Sequence, residues 1–161
     1  MKLARTGIIA AAVLAVASVT FAQKPDFSGT WTVDTSAAPA PTTGGEAGGG
    51  RRGGMGGPMT VKMAADTLTV ERSMGENTVS TIYKLDGTES VNKMMGQGGT
   101  EVEVKSTAKW DGSKLTIMEK RPAPDGTVRE TTQVWSLEGG NLVIESTNAR
   151  GTQKRTYKKT T

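Results

Sequence analysis

Ser106-Thr-Ala-Lys-Trp-Asp-Gly-Ser-Lys-Leu-Thr-Ile117 is the stretch from which the fold is read. Val102, Val104, Ala108 and Trp110 alternate with polar residues as far as Asp111-Gly112, and Leu115 and Ile117 resume the period of two beyond it. An Asp-Gly between two alternating runs predicts a β-hairpin, with a type I′ turn centred on residues that need positive φ. The pattern repeats along the chain. Tyr83-Lys84-Leu85 runs into Asp86-Gly87, Pro124 into Asp125-Gly126, and Trp135-Ser136-Leu137 into Glu138-Gly139-Gly140. The outgoing runs also rhyme: Leu68-Thr69-Val70-Glu71, Leu115-Thr116-Ile117 and Leu142-Val143-Ile144-Glu145.

Outward from that hairpin, strands are expected at Asp26–Asp34, Met59–Ala64, Thr67–Arg72, Thr78–Leu85, Glu101–Trp110, Lys114–Lys120, Thr127–Leu137, Asn141–Thr147 and Thr152–Lys158. Ser90–Gly99 reads as too glycine-rich for a regular strand. No segment carries an apolar period of 3.6 long enough for a helix. Short strands joined by tight turns pair consecutively, and closing such a meander removes its two exposed edges. The expected fold is therefore all-β: a single antiparallel up-and-down β-barrel of roughly eight to ten strands. A Greek-key sandwich is the alternative, and only Thr35–Pro58 is long enough to supply its crossover. The Lys-, Glu- and Thr-rich outward faces argue against a lipid-facing barrel.

Residues 1–22 read as a signal peptide. Lys2 and Arg5 form the positive region, Ile8–Val19 is apolar but short for a bilayer span, and Thr20-Phe21-Ala22 offers a cleavage site. The domain then runs over residues 23–161, exported to the periplasm or the medium, without stable membrane insertion. Within it, residues 35–58 form a Gly/Pro-rich stretch, expected to be a flexible loop. The mature chain has 18 basic and 16 acidic residues, too even a balance for a nucleic-acid partner. The chain has no cysteine, so no disulfide supports it and its core must suffice.

The chemistry open to the chain is narrow. Without His or Cys the usual nucleophilic triads and zinc sites are excluded, and no enzyme activity or cofactor is expected. Glu101 and Glu103 share a strand face about 7 Å apart, but with Lys105 they read as a solvated charged face. Met55, Met59, Met63, Met74, Met94, Met95 and Met118 could supply thioethers to Cu(I), or simply fill irregular interior space. Arg155 and Tyr157 lie two apart on the last strand and so share a face. Barrel closure sets that strand beside the first, near Trp31. Arg155 then either clasps Trp31 to close the barrel or anchors a ligand carboxylate, with Arg129 assisting from a neighbouring strand.

Phe27-Ser28-Gly29-Thr30-Trp31 resembles the Gly-x-Trp opening of the calycins, the lipocalins and fatty-acid-binding proteins. Trp110-Asp111-Gly112-Ser113-Lys114-Leu115 is similar to the Trp-x-Gly-x-Lys-Leu hairpin of the fatty-acid-binding proteins. Arg155-Thr156-Tyr157 resembles their terminal strand, whose Arg-x-Tyr pair holds a ligand carboxylate. The resemblance implies a lipocalin-like exported domain with Arg155, Tyr157, Trp31 and Arg129 at its ligand site. Two differences stand out: a Gly/Pro loop replaces the helical lid of the cytosolic members, and the inward faces are richer in Thr and Ser. The expected function is non-enzymatic binding of a small amphipathic, hydrophobic or carboxylate ligand in the cell envelope, by a monomer. A barrel filled by its own side chains, acting as a structural or interaction protein, is the alternative.

Overall fold

A computed structural model describes residues 24–37, 58–74, 77–96 and 99–160. The expected signal peptide and residues 38–57 of the expected loop lie outside the described residues. In chain order the strands are β1 (Gly29–Val33), β2 (Met59–Met63), β3 (Thr67–Met74), β4 (Asn77–Lys84), β5 (Ser90–Met95), β6 (Glu101–Asp111), β7 (Lys114–Pro122), β8 (Val128–Glu138), β9 (Asn141–Asn148) and β10 (Gly151–Thr160). They form one antiparallel sheet in the order β4-β3-β2-β1-β10-β9-β8-β7-β6-β5. The first strand meets the last, with Trp31 opposite Lys159 and Val33 opposite Tyr157. This is the expected up-and-down barrel, and the sandwich is set aside because every ladder joins chain neighbours or the two ends.

Three local expectations are corrected. Ser90–Met95 is a strand, because its glycines begin only at Gly96, after the pairing with β6 is complete. The β6–β7 turn is centred on Gly112-Ser113, since Asp111 pairs with Lys114. Gly112 has φ +59° and no non-glycine residue among those described has positive φ, which fits a type II′ turn rather than I′. Thr35–Ala37, at the head of the expected loop, is a single 3₁₀ turn.

One half of the barrel interior is apolar and filled. Phe27 precedes β1 and plugs this end. Its ring stacks on Trp110 (5.7 Å, 8°) and meets the edge of Trp135 (5.9 Å, 70°). Trp31 Nε1 donates to the Phe27 carbonyl at 2.9 Å, so the indole's polar atom is satisfied in the core. Met59, Val61, Leu68, Leu115, Ile117, Trp135 and Leu142 complete the packing, all essentially without exposure. Full burial of each such side chain contributes ~1.5–3 kcal/mol, which is how a chain only 35% apolar sustains a barrel.

Candidate functional site

The inward face changes character along the strands, always toward the same end. On β7 it reads Leu115, Ile117, Glu119, Arg121, and on the partner strand β8 Trp135, Gln133, Thr131, Arg129. On β9 it reads Leu142, Ile144, Ser146, Asn148, on β10 Tyr157, Arg155, Gln153, and on β3 Leu68, Val70, Arg72. Period-two alternation puts all of these side chains on one face. The second half of the interior is therefore polar and rich in arginine.

A cavity of about 90 Å³ opens in this half, lined by Arg72, Gln133, Ile144, Ser146, Arg155 and Tyr157, among others. A wider groove of about 790 Å³ lies at the rim, lined by residues 127–132 and 147–150. The two share Thr131 and Asn148 as lining residues.

A chain of hydrogen bonds crosses the boundary between the halves. Trp135 Nε1 donates to Gln133 Oε1 (3.1 Å), and Gln133 Nε2 donates to Glu119 Oε2 (3.2 Å). The Tyr83 hydroxyl donates to Glu119 Oε1 at 2.6 Å. With the indole able only to donate, the amide orientation of Gln133 follows, and its NH₂ group must face the carboxylate. Burial, reinforced by the Glu119 carboxylate, pushes the Tyr83 hydroxyl well above its usual 10.0, while Arg72 and Arg121 pull the other way. Tyr83 is thus a neutral donor that holds Glu119 in place.

Of the residues singled out from the sequence, Arg155 and Tyr157 face inward and line the cavity. Arg129 is exposed at the rim groove. Trp31 lies in the filled half, where its ring is covered by Lys159 Nζ at 5.6 Å. The expected clasp of Arg155 on Trp31 is therefore corrected: the β1–β10 register puts Lys159 opposite Trp31, while Arg155 sits four residues away opposite Ile144. Arg72, Glu119, Gln133, Tyr83 and Arg121 went unrecognised in the sequence. Their signal was a polar residue at an inward position, such as Arg72 after Leu68 and Val70. For methionine, Met63 Sδ accepts the Phe27 amide (3.0 Å) and Met94 Sδ lies 2.8 Å from Arg121 Nη2. A guanidinium against a thioether repels a metal cation, which disfavours the Met94 sulfur as a copper ligand.

The wild-type fluorescent protein UnaG superposes with a TM-score of 0.56 at 23% identity, covering 83% of this chain and 97% of that one. Human cRBP IV gives 0.52 at 18%, covering 84% and 99%. A protein described as the REP1-NXSQ fatty acid transporter gives 0.55 at 14%, covering 83% and 96%. The fold is that of the fatty-acid-binding-protein and calycin barrels. No protein-family model matches the chain, and no curated protein matches it in sequence.

Proposed function

We propose that this barrel is an exported, non-enzymatic binding protein for a small amphipathic carboxylate, held with its anionic group in the polar half of the interior. The observation that carries the reading is the cavity lined by both Arg72 of β3 and Arg155 of β10, together with Gln133 and Tyr157. Two guanidinium groups offer paired N–H donors matched to a carboxylate, and the surrounding half-buried site raises their value over water. A fold shared with a fatty acid transporter supports the same reading. The apolar leader of the sequence supports a periplasmic or secreted location.

A second reading, a filled barrel that serves as an interaction protein, is favoured by the cavity's size. About 90 Å³ is well below the ~300–1,000 Å³ of most small-molecule pockets, so the cavity has room for a headgroup but not for a hydrocarbon tail. Native mass spectrometry of protein purified from its own host separates the two. A retained small molecule, lost in Arg155→Gln, supports the first. A bare mass, with no binding of a fluorescent fatty-acid probe by wild type, supports the second. For a bound carboxylate, Arg155→Gln is expected to weaken the probe by ~1.5–3 kcal/mol, the value of a hydrogen bond to a charged group.

A further inference from the structure

Charge is sorted between the two faces of the barrel. The outer surface carries six lysine–carboxylate pairs: Lys62–Glu71, Lys93–Glu101, Lys105–Glu89, Lys120–Glu130, Lys154–Glu138 and Lys158–Asp34. The inward face of the polar half carries arginine instead, at Arg72, Arg121, Arg129 and Arg155. Among the described residues no carboxylate lies within ion-pair distance of Arg72, Arg121 or Arg129. Glu119 is the carboxylate on the inward face of β7, and it accepts from Tyr83 at one oxygen and from Gln133 at the other.

The sharpest feature is at the rim. Arg121 and Arg129 are direct cross-strand partners on β7 and β8. Like charges placed opposite one another destabilise a sheet. Arg121 turns a guanidinium nitrogen toward the sulfur of Met94, a weak acceptor, rather than toward a carboxylate. An anion lying between the pair would convert a repulsion into two attractive contacts. The cavity and the rim groove share Thr131 and Asn148 as lining residues, and Arg129, the cross-strand partner of Arg121, lines the groove.

We propose that the ligand is an elongated dianion, with one anionic group between Arg72 and Arg155 in the cavity and a second bridging Arg121 and Arg129 at the rim. This deepens the reading above and rests on it. Arg155 is level with Ile144 and hence with Trp135, six residues along β8 from Arg129, about 20 Å at the rise of a strand. Long arginine side chains reach inward from both levels and shorten the gap, which suits a chain with a carboxylate at each end.

The test compares hexadecanedioate with hexadecanoate, and the twelve-carbon pair alongside, by isothermal titration of the full chain. Wild type is expected to bind the diacid about fivefold more tightly or better, each rim arginine being exposed and so contributing less than tenfold. Arg121→Gln and Arg129→Gln, both exposed positions that leave the core intact, are expected to bring the diacid down to the monoacid's affinity. Monoacid binding should not change in Arg121→Gln, whereas Arg155→Gln should weaken both ligands. The advantage of the diacid should shrink at high salt. Equal binding of diacid and monoacid by wild type overturns the dianion while leaving the carboxylate site standing. Dodecyl phosphate binding more tightly than either diacid, with no loss in Arg129→Gln, also overturns it, because its charge is held in a single headgroup. If neither acid binds, both this proposal and the binding function beneath it fall.

Discussion

Asn92 pairs with Ile82 across the seam of the barrel as a strand would: its Oδ1 accepts the Ile82 amide at 2.8 Å and its Nδ2 donates to the Ile82 carbonyl at 2.9 Å. The seam lies between β4 and β5, which end the ladder and have no backbone pairing. Ser90 continues the stitch, its Oγ accepting the Lys84 amide at 2.8 Å. Side chains thus satisfy edge groups that would otherwise invite another chain.

Removing that stitch should be costly. Asn92→Ala leaves a donor and an acceptor of Ile82 without partners and is expected to destabilise by ~1–3 kcal/mol in urea titration. Asn92→Asp keeps the acceptor but sets a carboxylate against the Ile82 carbonyl. Its loss should exceed that of Ala at neutral pH and shrink on acidification, when the carboxyl can donate. Hydrogen exchange at the Ile82 amide should accelerate in both. Unchanged exchange would show that the seam is held by other means.

At the filled end, Gly29 has φ +140°, and a Cβ there would run into Lys159 Cε. Two costs are therefore possible for Gly29→Ala: the clash and the backbone. The lysine side chain is long and can move aside, so the positive φ should dominate, at ~1–3 kcal/mol. The double variant Gly29→Ala/Lys159→Ala checks this assignment. It should recover little stability, and full recovery would instead put the cost on the contact with Lys159.

The fold was legible because alternation survives in nearly every strand and most of the turns between them carry Gly. Register was not. Parity alone placed Arg155 and Tyr157 inside, but which inward residue faces Trp31 depends on how β1 slides against β10, and that offset leaves no local trace. Lys159 took the place expected of Arg155 for this reason alone. The seam was hidden differently: Gly96, Gly98 and Gly99 made the stretch read as too glycine-rich for a strand, and the inward Ser90 and Asn92 are polar, so no apolar alternation marked β5. The polar half was obscured by habit, since Arg72, Glu119 and Gln133 pass for surface residues unless their parity is checked against Leu68, Ile117 and Trp135.

Ser106 tests how closely the interior is satisfied. It is buried on β6, and its Oγ has no hydrogen-bond partner among the described residues. A buried hydroxyl without a partner opposes folding, and removing it to leave the methyl side chain of alanine removes the penalty. Ser106→Ala is expected to raise stability by up to ~1 kcal/mol, seen as a higher urea midpoint with an unchanged slope. A loss of 1 kcal/mol or more, on the order of one hydrogen bond, would mean that the hydroxyl is engaged in solution.

Tyr83 gives the barrel a pH dependence at the alkaline edge. Its hydroxyl is held above 10.0 in the folded protein by burial and by Glu119, whereas the unfolded chain ionises near the ordinary tyrosine value. Above that value the unfolded state loses a proton that the folded state keeps, so stability present in full below pH 10 drains away as pH rises toward the folded pKa. The slope for one fully titrating group is about 1.4 kcal/mol per pH unit. Lysines ionise in the same range, so the effect is read as a difference between wild type and Tyr83→Phe. At pH 7 the variant should be less stable by ~1–3 kcal/mol, because Glu119 loses a charge-assisted bond. Between pH 10 and 11 the gap should narrow, since only wild type has this proton to lose. A gap that stays constant across that range would mean that Tyr83 ionises alike in the folded and unfolded chains, and that the Trp135–Gln133–Glu119–Tyr83 chain is open to water.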